Sequence, residues 1–358
     1  MPVLFAERGA AAPTAERAGR QALEELLLGY RRTQLVYVAA VLGLADVLSA
    51  GPMTSVEVAD EVARRRSSPV HAQALHRVMR GLAVLGVLVE EEGGRFGLGD
   101  IGQHLRSDAP ESVRLTALEF SEVYYPAWGA ILHTVRTGEP AFPYVFEMDA
   151  WQFRAQHPEL SEAFNRRMAH LTQQCIDAII DVYDFTDVRS LVDVGGGNGT
   201  LMAALLRANP GMRGVLLEAA HVVPAARELL ESAGVTHRCS VVAGDFFAQV
   251  PGGADVYVLK TIVHDWDDER AIAILRTCRN AMRPDSRLLL LERVLAERAR
   301  DDPEAVNTDL TMLIQLGGRE RTGPEFVDVL RAAGLHVTCI VPTASQFSVV
   351  EAVPAPGR

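Results

Sequence analysis

Apolar positions recur at two different spacings along this chain, and the change of spacing divides it. From Gln21 to about residue 110 they recur every three or four residues, the period of a buried helix face. LLLGYRRTQLVYVAAVLGLADVLSAG reads as an apolar helix pair that stops at Gly51. A capped amphipathic helix follows, with Thr54 or Ser55 as N-cap and Glu57 near the third helical position, the layout of a capping box. A further helix falls between Val70 and Leu88. VLVEEEGGRFGLGD then predicts two short strands turning at Gly93-Gly94. Helices followed by a hairpin predict a winged helix over residues 21–110. Residues 1–20 read as a disordered tail without the apolar stretch of a signal peptide.

Residues 111–185 predict connecting helices rich in aromatic rings. Most of those rings belong to a core; some, with Trp128 and Phe164 as candidates, suit the wall of a pocket for a flat acceptor. From residue 186 onward strands and helices alternate. SLVDV, GVLLE, CSVVAG, DVYVLK and RLLLLERVL are the strands, and the last is apolar enough to be a central parallel strand buried on both faces. HVTCIVP and QFSVVEAVP lie too close for a helix between them, so they pair antiparallel. The prediction over 186–358 is an α/β, Rossmann-like doubly wound sheet with an antiparallel last strand.

The chemistry concentrates at the ends of these strands. Leu191–Thr200, LVDVGGGNGT, ends an apolar strand in a glycine cluster and opens a helix at once. Glu218 ends the next strand, about twenty residues on, where a carboxylate suits the two hydroxyls of a ribose. Asp245, after VVAG, stands where it can accept from an adenine amino group, with Gly244 beside it and Phe246 against the ring. Gly195 and Gly197 bring backbone to the ligand, and Asp193 is placed to hold the loop or an ammonium. The loop has neither the Lys-Ser/Thr of a phosphate cradle nor the GxGxxG of a dinucleotide site. A nucleoside without phosphates fits better, which points to S-adenosylmethionine.

LKTIVHDWDDE carries the best base. His264 follows the fourth strand, and an imidazole with a pKa near neutrality can take the proton of a phenol as its oxygen attacks a methyl group. Glu292 ends the neighbouring strand, and Glu320 and Asp309 are further carboxylates able to orient the ring. Glu320 also reads as part of a surface turn paired with Arg319 or Arg321. The acids at 265–269 read as the cap and first turn of the next helix rather than as metal ligands.

Bulk composition narrows the alternatives. A chain of 358 residues with net charge −11 is a poor partner for nucleic acid, which disfavours a winged-helix regulator. No stretch has the length of a membrane span. The four cysteines, Cys175, Cys239, Cys278 and Cys339, lack metal or redox spacing and read as reduced thiols of a cytoplasmic protein. Lys260 is the only lysine, four residues before His264.

With LVDVGGGNG, GDFF, LKTIVHDWDDE, LLLLERVL and GGRERT in this order, the chain resembles the S-adenosylmethionine-dependent O-methyltransferases. The resemblance is to the group joining plant phenylpropanoid and flavonoid enzymes with bacterial tailoring enzymes of aromatic natural products, carminomycin O-methyltransferase among them. It covers about residues 25–352. It implies a class I methyltransferase fold, a homodimer formed through the N-terminal domain and no metal. It implies His264 as catalytic base with Glu292 and Glu320 in support. It places Lys260 near the adenosyl group, Phe164 and Met168 along the cofactor and acceptor region, and Met312 as a clamp on the acceptor. It implies a phenolic hydroxyl of an aromatic, polyketide-derived compound as acceptor and S-adenosyl-L-homocysteine as the other product. Some relatives bind the same cofactor yet hydroxylate or decarboxylate, which is the alternative reading. Two departures stand out. The family's Asp-Leu-Pro after the second strand is Glu218-Ala219-Ala220 here, and the Met312–Gly317 segment is about a residue shorter than in the plant enzymes.

Overall fold

A computed structural model describes residues 15–110 and 112–356. The chain divides between Val123 and Tyr124 into two compact units. Most of the tail expected over 1–20 lies outside the described residues; from Ala15 the described chain is helical.

The first unit contains helices Ala15–Leu27, Tyr30–Leu42, Leu44–Leu48, Ser55–Arg66 and Ala72–Val84 and a small sheet. That sheet is antiparallel, in the order β1 (Met53–Thr54), β3 (Arg95–Leu98), β2 (Leu88–Glu91). Thr54 is the N-cap: its hydroxyl accepts from Glu57 N–H while the Glu57 carboxylate accepts from Thr54 N–H at 2.7 Å, closing the capping box. Leu44, Val58, Met79, Leu82 and Phe96 fill the core. Each fully buried side chain of this size contributes roughly 1.5–3 kcal/mol. Leu23, Leu26, Leu27, Leu28 and Tyr30 stay exposed.

The second unit begins with short helices, Tyr125–Gly129, Ile131–Thr137, Ala141–Phe146 and Ala150–Gln156, and the long helix Pro158–Val182. A seven-stranded sheet follows. Its strands are β4 (Ser190–Val194), β5 (Arg213–Glu218), β6 (Cys239–Ala243), β7 (Val256–Lys260), β8 (Arg287–Glu292), β11 (Leu335–Pro342) and β12 (Ser348–Pro354). Their order is β11-β12-β8-β7-β4-β5-β6. Only β12 runs antiparallel to its neighbours, β8 and β11. The chain therefore winds outward in both directions from the β4–β7 boundary, and the carboxyl ends of β4 to β8 share one edge.

Alternation along each strand sorts residues to two cores. Leu191, Val256, Val258, Leu289 and Leu291 face one, against Cys175, Ile176 and Ile179 of the long helix. Val192, Val194, Tyr257, Leu259, Leu288 and Leu290 face the other, against Ile274, Leu275 and Phe326. By the two-residue period, Asp193 and Lys260 belong to the first face and Glu292 to the second. A two-stranded parallel pair, β9 (Val294–Leu295) with β10 (Arg321–Thr322), completes the unit. It brings the segment after Glu292 alongside the segment after Glu320.

Candidate active site

At the ends of β4 and β5, backbone geometry explains the glycines. Gly195, Gly197 and Gly199 have φ of 72°, 57° and 83°, which side-chain-bearing residues rarely adopt. Gly196 is excluded from change for another reason: a Cβ there would lie 2.6 Å from Asp193 Oδ2. Glu218 Oε2 accepts from Gly197 N–H at 2.8 Å and Oε1 from Ala219 N–H at 2.7 Å. The carboxylate that replaces the family's Asp is thus held by the altered loop itself, and each oxygen keeps a lone pair for a diol. Gly244 N–H donates to Glu218 O at 3.0 Å, tying β6 to the same edge. Asp245 is exposed and spends Oδ1 on Phe247 N–H at 2.8 Å; Phe246 packs edge-on to Trp266 at 6.4 Å.

Asp193 is buried, and its Oδ2 has no hydrogen-bond partner among the described residues. Burial, with the Glu218 charge, pushes its pKa up to about 7. Lys260 is buried on the same face, its Nζ 4.9 Å above the Phe347 ring, and burial lowers its pKa. An orphaned buried carboxyl beside a loop of bare backbone, with a second carboxylate on the next strand, is a set of acceptors of the kind an amino-acid ammonium and a ribose diol require.

The second cluster lies at the ends of β7 and β8. His264 is buried, with Nδ1 2.7 Å from Glu320 Oε1 and 3.9 Å from Glu292 Oε2. Its Nε2 lies 3.3 Å from Asp265 Oδ1. Glu292 accepts from the N–H groups of Ile262 and Val263 through Oε1, at 3.0 and 2.9 Å, so it braces the turn that carries His264. Glu320 is buried, which overturns its reading as a surface turn. Asp309 does not touch the imidazole; its Oδ1 accepts from Glu320 N–H at 2.9 Å and so positions the acid that does.

Sequence reasoning missed how the residues around this cluster pack. Arg321 is fully buried and donates to Val263 O, Trp266 O and Asp268, clamping the turn from 263 to 268. Gly318 passes so close that a Cβ would lie 2.2 Å from His264 O, and Arg319 N–H donates to that oxygen at 2.9 Å. Asp265 is a correction. Asp267 is the N-cap of the helix Asp268–Ala281, with Asp268 and Glu269 in its first turn, as expected; Asp265 faces His264 instead. The signals were present as a Gly-Gly pair and an alternation of charge in GGRERT, but neither says what packs against it.

Electrostatics bind these groups into one titrating unit. Burial acts to lower the His264 pKa, but the Glu292, Glu320 and Asp265 charges outweigh it and hold it at about 10. Burial raises Glu292 to about 7 and Asp265 to about 6, each partly offset by the imidazolium. His264, Glu292 and Glu320 place ligand atoms within 4.8 Å of one another, a composition that also suits a metal. The direct 2.7 Å contact between Nδ1 and Glu320 is a hydrogen-bond distance, too short for two ligands of one ion at ~2.0 Å each in tetrahedral geometry.

The residues expected along the acceptor are half-buried: Trp128, Phe164, Met168 and Met312. The Phe164 ring is faced by Arg154 at 3.9 Å and by Arg167 at 5.4 Å. The helix Pro303–Gln315, which carries Asp309 and Met312, packs against the helices Tyr125–Gly129 and Ala141–Phe146.

Fold and site together define a methyltransferase of the doubly wound type with a buried His–carboxylate centre. A family model for the O-methyltransferase domain matches residues 128–336, and one for the O-methyltransferase dimerisation domain matches residues 24–108. The chain belongs to the O-methyltransferase family. It is 42% identical to the phenazine O-methyltransferase PhzM of Lysobacter antibioticus, covering 94% of this chain and 98% of that one. It superimposes with a TM-score of 0.82 on the O-methyltransferase NcsB1 from neocarzinostatin biosynthesis, solved with S-adenosylmethionine and 2-hydroxy-5-methyl naphthoic acid; that likeness is 32% in identity and covers 96% of this chain and all of the other. It is also 36% identical to the aclacinomycin 10-hydroxylase RdmB of Streptomyces purpurascens, over 83% of this chain and 79% of that one.

Proposed function

We propose that this enzyme transfers the methyl group of S-adenosylmethionine to a hydroxyl on an aromatic natural product, with His264 taking the hydroxyl proton. The observation that carries the reading is the 2.7 Å contact from His264 Nδ1 to the buried Glu320. It puts one imidazole proton on Nδ1 and leaves Nε2 as the nitrogen that exchanges a proton with a substrate. Bound S-adenosylmethionine supplies an electrophilic methyl on a sulfonium. Glu218 would take its ribose hydroxyls, Asp193 its ammonium and Asp245 with Phe246 its adenine, around the backbone of Gly195, Gly197 and Gly244. Lys260 lines the same edge from the first face of the sheet.

For in-line displacement the protein's work is alignment and proton removal. Carboxylates on three sides favour the charged imidazole. His264 is therefore a strong proton acceptor once neutral, and it sheds its own proton more easily when a cation shares the cleft. Turnover should climb with pH from neutrality toward the region of about 10 where the imidazolium is lost. Trp128, Phe164, Met168 and Met312 would grip the flat acceptor, with Asp309 acting through Glu320. The cluster would serve by moving a proton, without a metal. A homodimer through residues 24–108 is supported by the dimerisation-domain match and by the exposed apolar side chains from Leu23 to Tyr30. Four unpaired thiols fit a cytoplasmic enzyme.

Incubation with S-adenosylmethionine and a panel of phenols should add one methyl mass to at least one of them. His264→Ala should lower kcat by about 10²–10⁴ while calorimetry finds cofactor affinity within about threefold of wild type. The similarity to a 10-hydroxylase keeps a second reading in view. Oxygenated product without methylation, or full activity in His264→Ala, would favour it.

A further inference from the structure

Arg154 has a buried donor that donates to none of the described residues. It lies in the helix Ala150–Gln156, whose N-cap Asp149 accepts from the N–H groups of Trp151 and Gln152. Phe153 anchors that helix in an aromatic cluster with Phe142, Phe146 and His157. The next side chain, Arg154, is directed elsewhere: its guanidinium lies over the Phe164 ring at 3.9 Å, with the Trp151 ring at 5.1 Å. Arg154 Nη1 is buried and has no hydrogen-bond partner among the described residues. None of the hydrogen bonds made by the acids of the catalytic cluster goes to Arg154: Oε1 of Glu320 meets Nδ1 of His264, Oε1 of Glu292 accepts from two backbone N–H groups, and the Oε2 of each has no hydrogen-bond partner among the described residues. Asp265, whose Oδ1 faces His264 Nε2, feels the Arg154 charge, so the guanidinium lies within electrostatic reach of the carboxylate beside that nitrogen.

A buried cationic N–H left unpaired costs folding free energy, and a protein keeps such a group where something else completes it. The planar guanidinium, held flat by stacking on rings, matches a carboxylate with two parallel hydrogen bonds. The carboxylates around His264 would repel an anionic acceptor, so an acidic acceptor needs a cation on the wall to admit it. We infer that Arg154 is a specificity-determining residue that receives a carboxylate carried by the aromatic acceptor. This rests on the assignment of the cleft beside His264 to an aromatic hydroxyl.

The test uses three pairs of probes, hydroxylated one-, two- and three-ring aromatic carboxylic acids and the primary amide of each. In the wild-type enzyme kcat/KM for at least one acid should exceed that of its amide by about tenfold or more, with the difference in KM. Arg154→Met should reduce the acid-to-amide ratio at least tenfold, and Arg154→Lys should restore part of it. Calorimetry on the wild type saturated with S-adenosylhomocysteine should rank the same acid above its amide, a reading independent of any variant's folding or turnover. Equal or weaker binding of all three acids, or a ratio that survives in a folded Arg154→Met, overturns the inference while methylation of the amides leaves the proposed function standing. Absence of methyl gain on every probe would count against the proposed function, and the binding ranking alone would then decide the role of Arg154.

Discussion

At the ends of β4 to β6, bare backbone and partly exposed carboxylates face the cleft; at the ends of β7 and β8, buried carboxylates enclose one imidazole. The first arrangement suits binding. Glu218 takes two backbone N–H groups and Asp245 one, both keep accepting capacity, and the glycines admit a ligand to close range. The second suits proton transfer. Every member of it is fixed by another: Glu292 by the turn at 262–263, Glu320 by Asp309, and the turn itself by Arg321. A binding edge tolerates alternatives such as Glu for Asp, whereas a proton-transfer centre needs its atoms held within fractions of an ångström.

Substitution of Glu320 should expose the difference most strongly. Glu320→Gln removes a charge that raises the His264 pKa. The pKa then falls, so the rise of kcat with pH should move to lower pH. The loss of the orienting carboxylate should cost about 10² in kcat. Cofactor affinity, a property of the other end, should stay within about threefold. A pH–rate profile with its limb unmoved would reduce Glu320 to a packing residue.

Gly318→Ala attacks the same centre through backbone alone. Its Cβ would meet His264 O at 2.2 Å and the Asp265 carbonyl carbon at 2.4 Å, so the loop from 317 to 321 must withdraw and take Glu320 with it. About tenfold in kcat and about 1–3 kcal/mol of stability should be lost, read by initial rates and thermal melting. If cofactor affinity fell in the same proportion as kcat, the two ends would not be separable.

Local pattern revealed more of the binding edge than of the chemical centre. The strands ending at Val194, Glu218 and Lys260, the capping box at Thr54 and the terminal hairpin all follow from spacing and turn chemistry within a few residues. His264 and Glu292 stood out as residues at the ends of neighbouring strands and Glu320 as a further carboxylate, and the family pattern then singled out these three. What no local rule indicates is which distant segment closes on them. The burial of Arg321 depends on carbonyls 55 and 58 residues earlier. The glycine at 318 answers to a peptide at 264–265, and Asp265, two residues before the helix N-cap, faces a histidine. Arg154 shows its meaning only when Phe164 and Asp265 are set beside it.

The smallest expected effect is at Asp193, and its sign separates binding from folding. The carboxyl has its folded pKa raised from 3.8 to about 7 by burial and by Glu218. Stability that depends on its proton is fully present below the unfolded value and is lost as pH rises through about 7. Asp193→Asn removes that loss. Relative to wild type, the cofactor-free variant should gain little in melting temperature at pH 4, more at pH 6 and most at pH 8. Cofactor affinity should move oppositely, falling several-fold to tenfold at pH 8, where the variant forfeits a charge-assisted bond, and less at pH 6. Melting curves and calorimetry at the three pH values decide it. A variant destabilised equally at every pH would mean that the orphaned oxygen holds the glycine loop, and that the binding edge is as interlocked as the centre beside it.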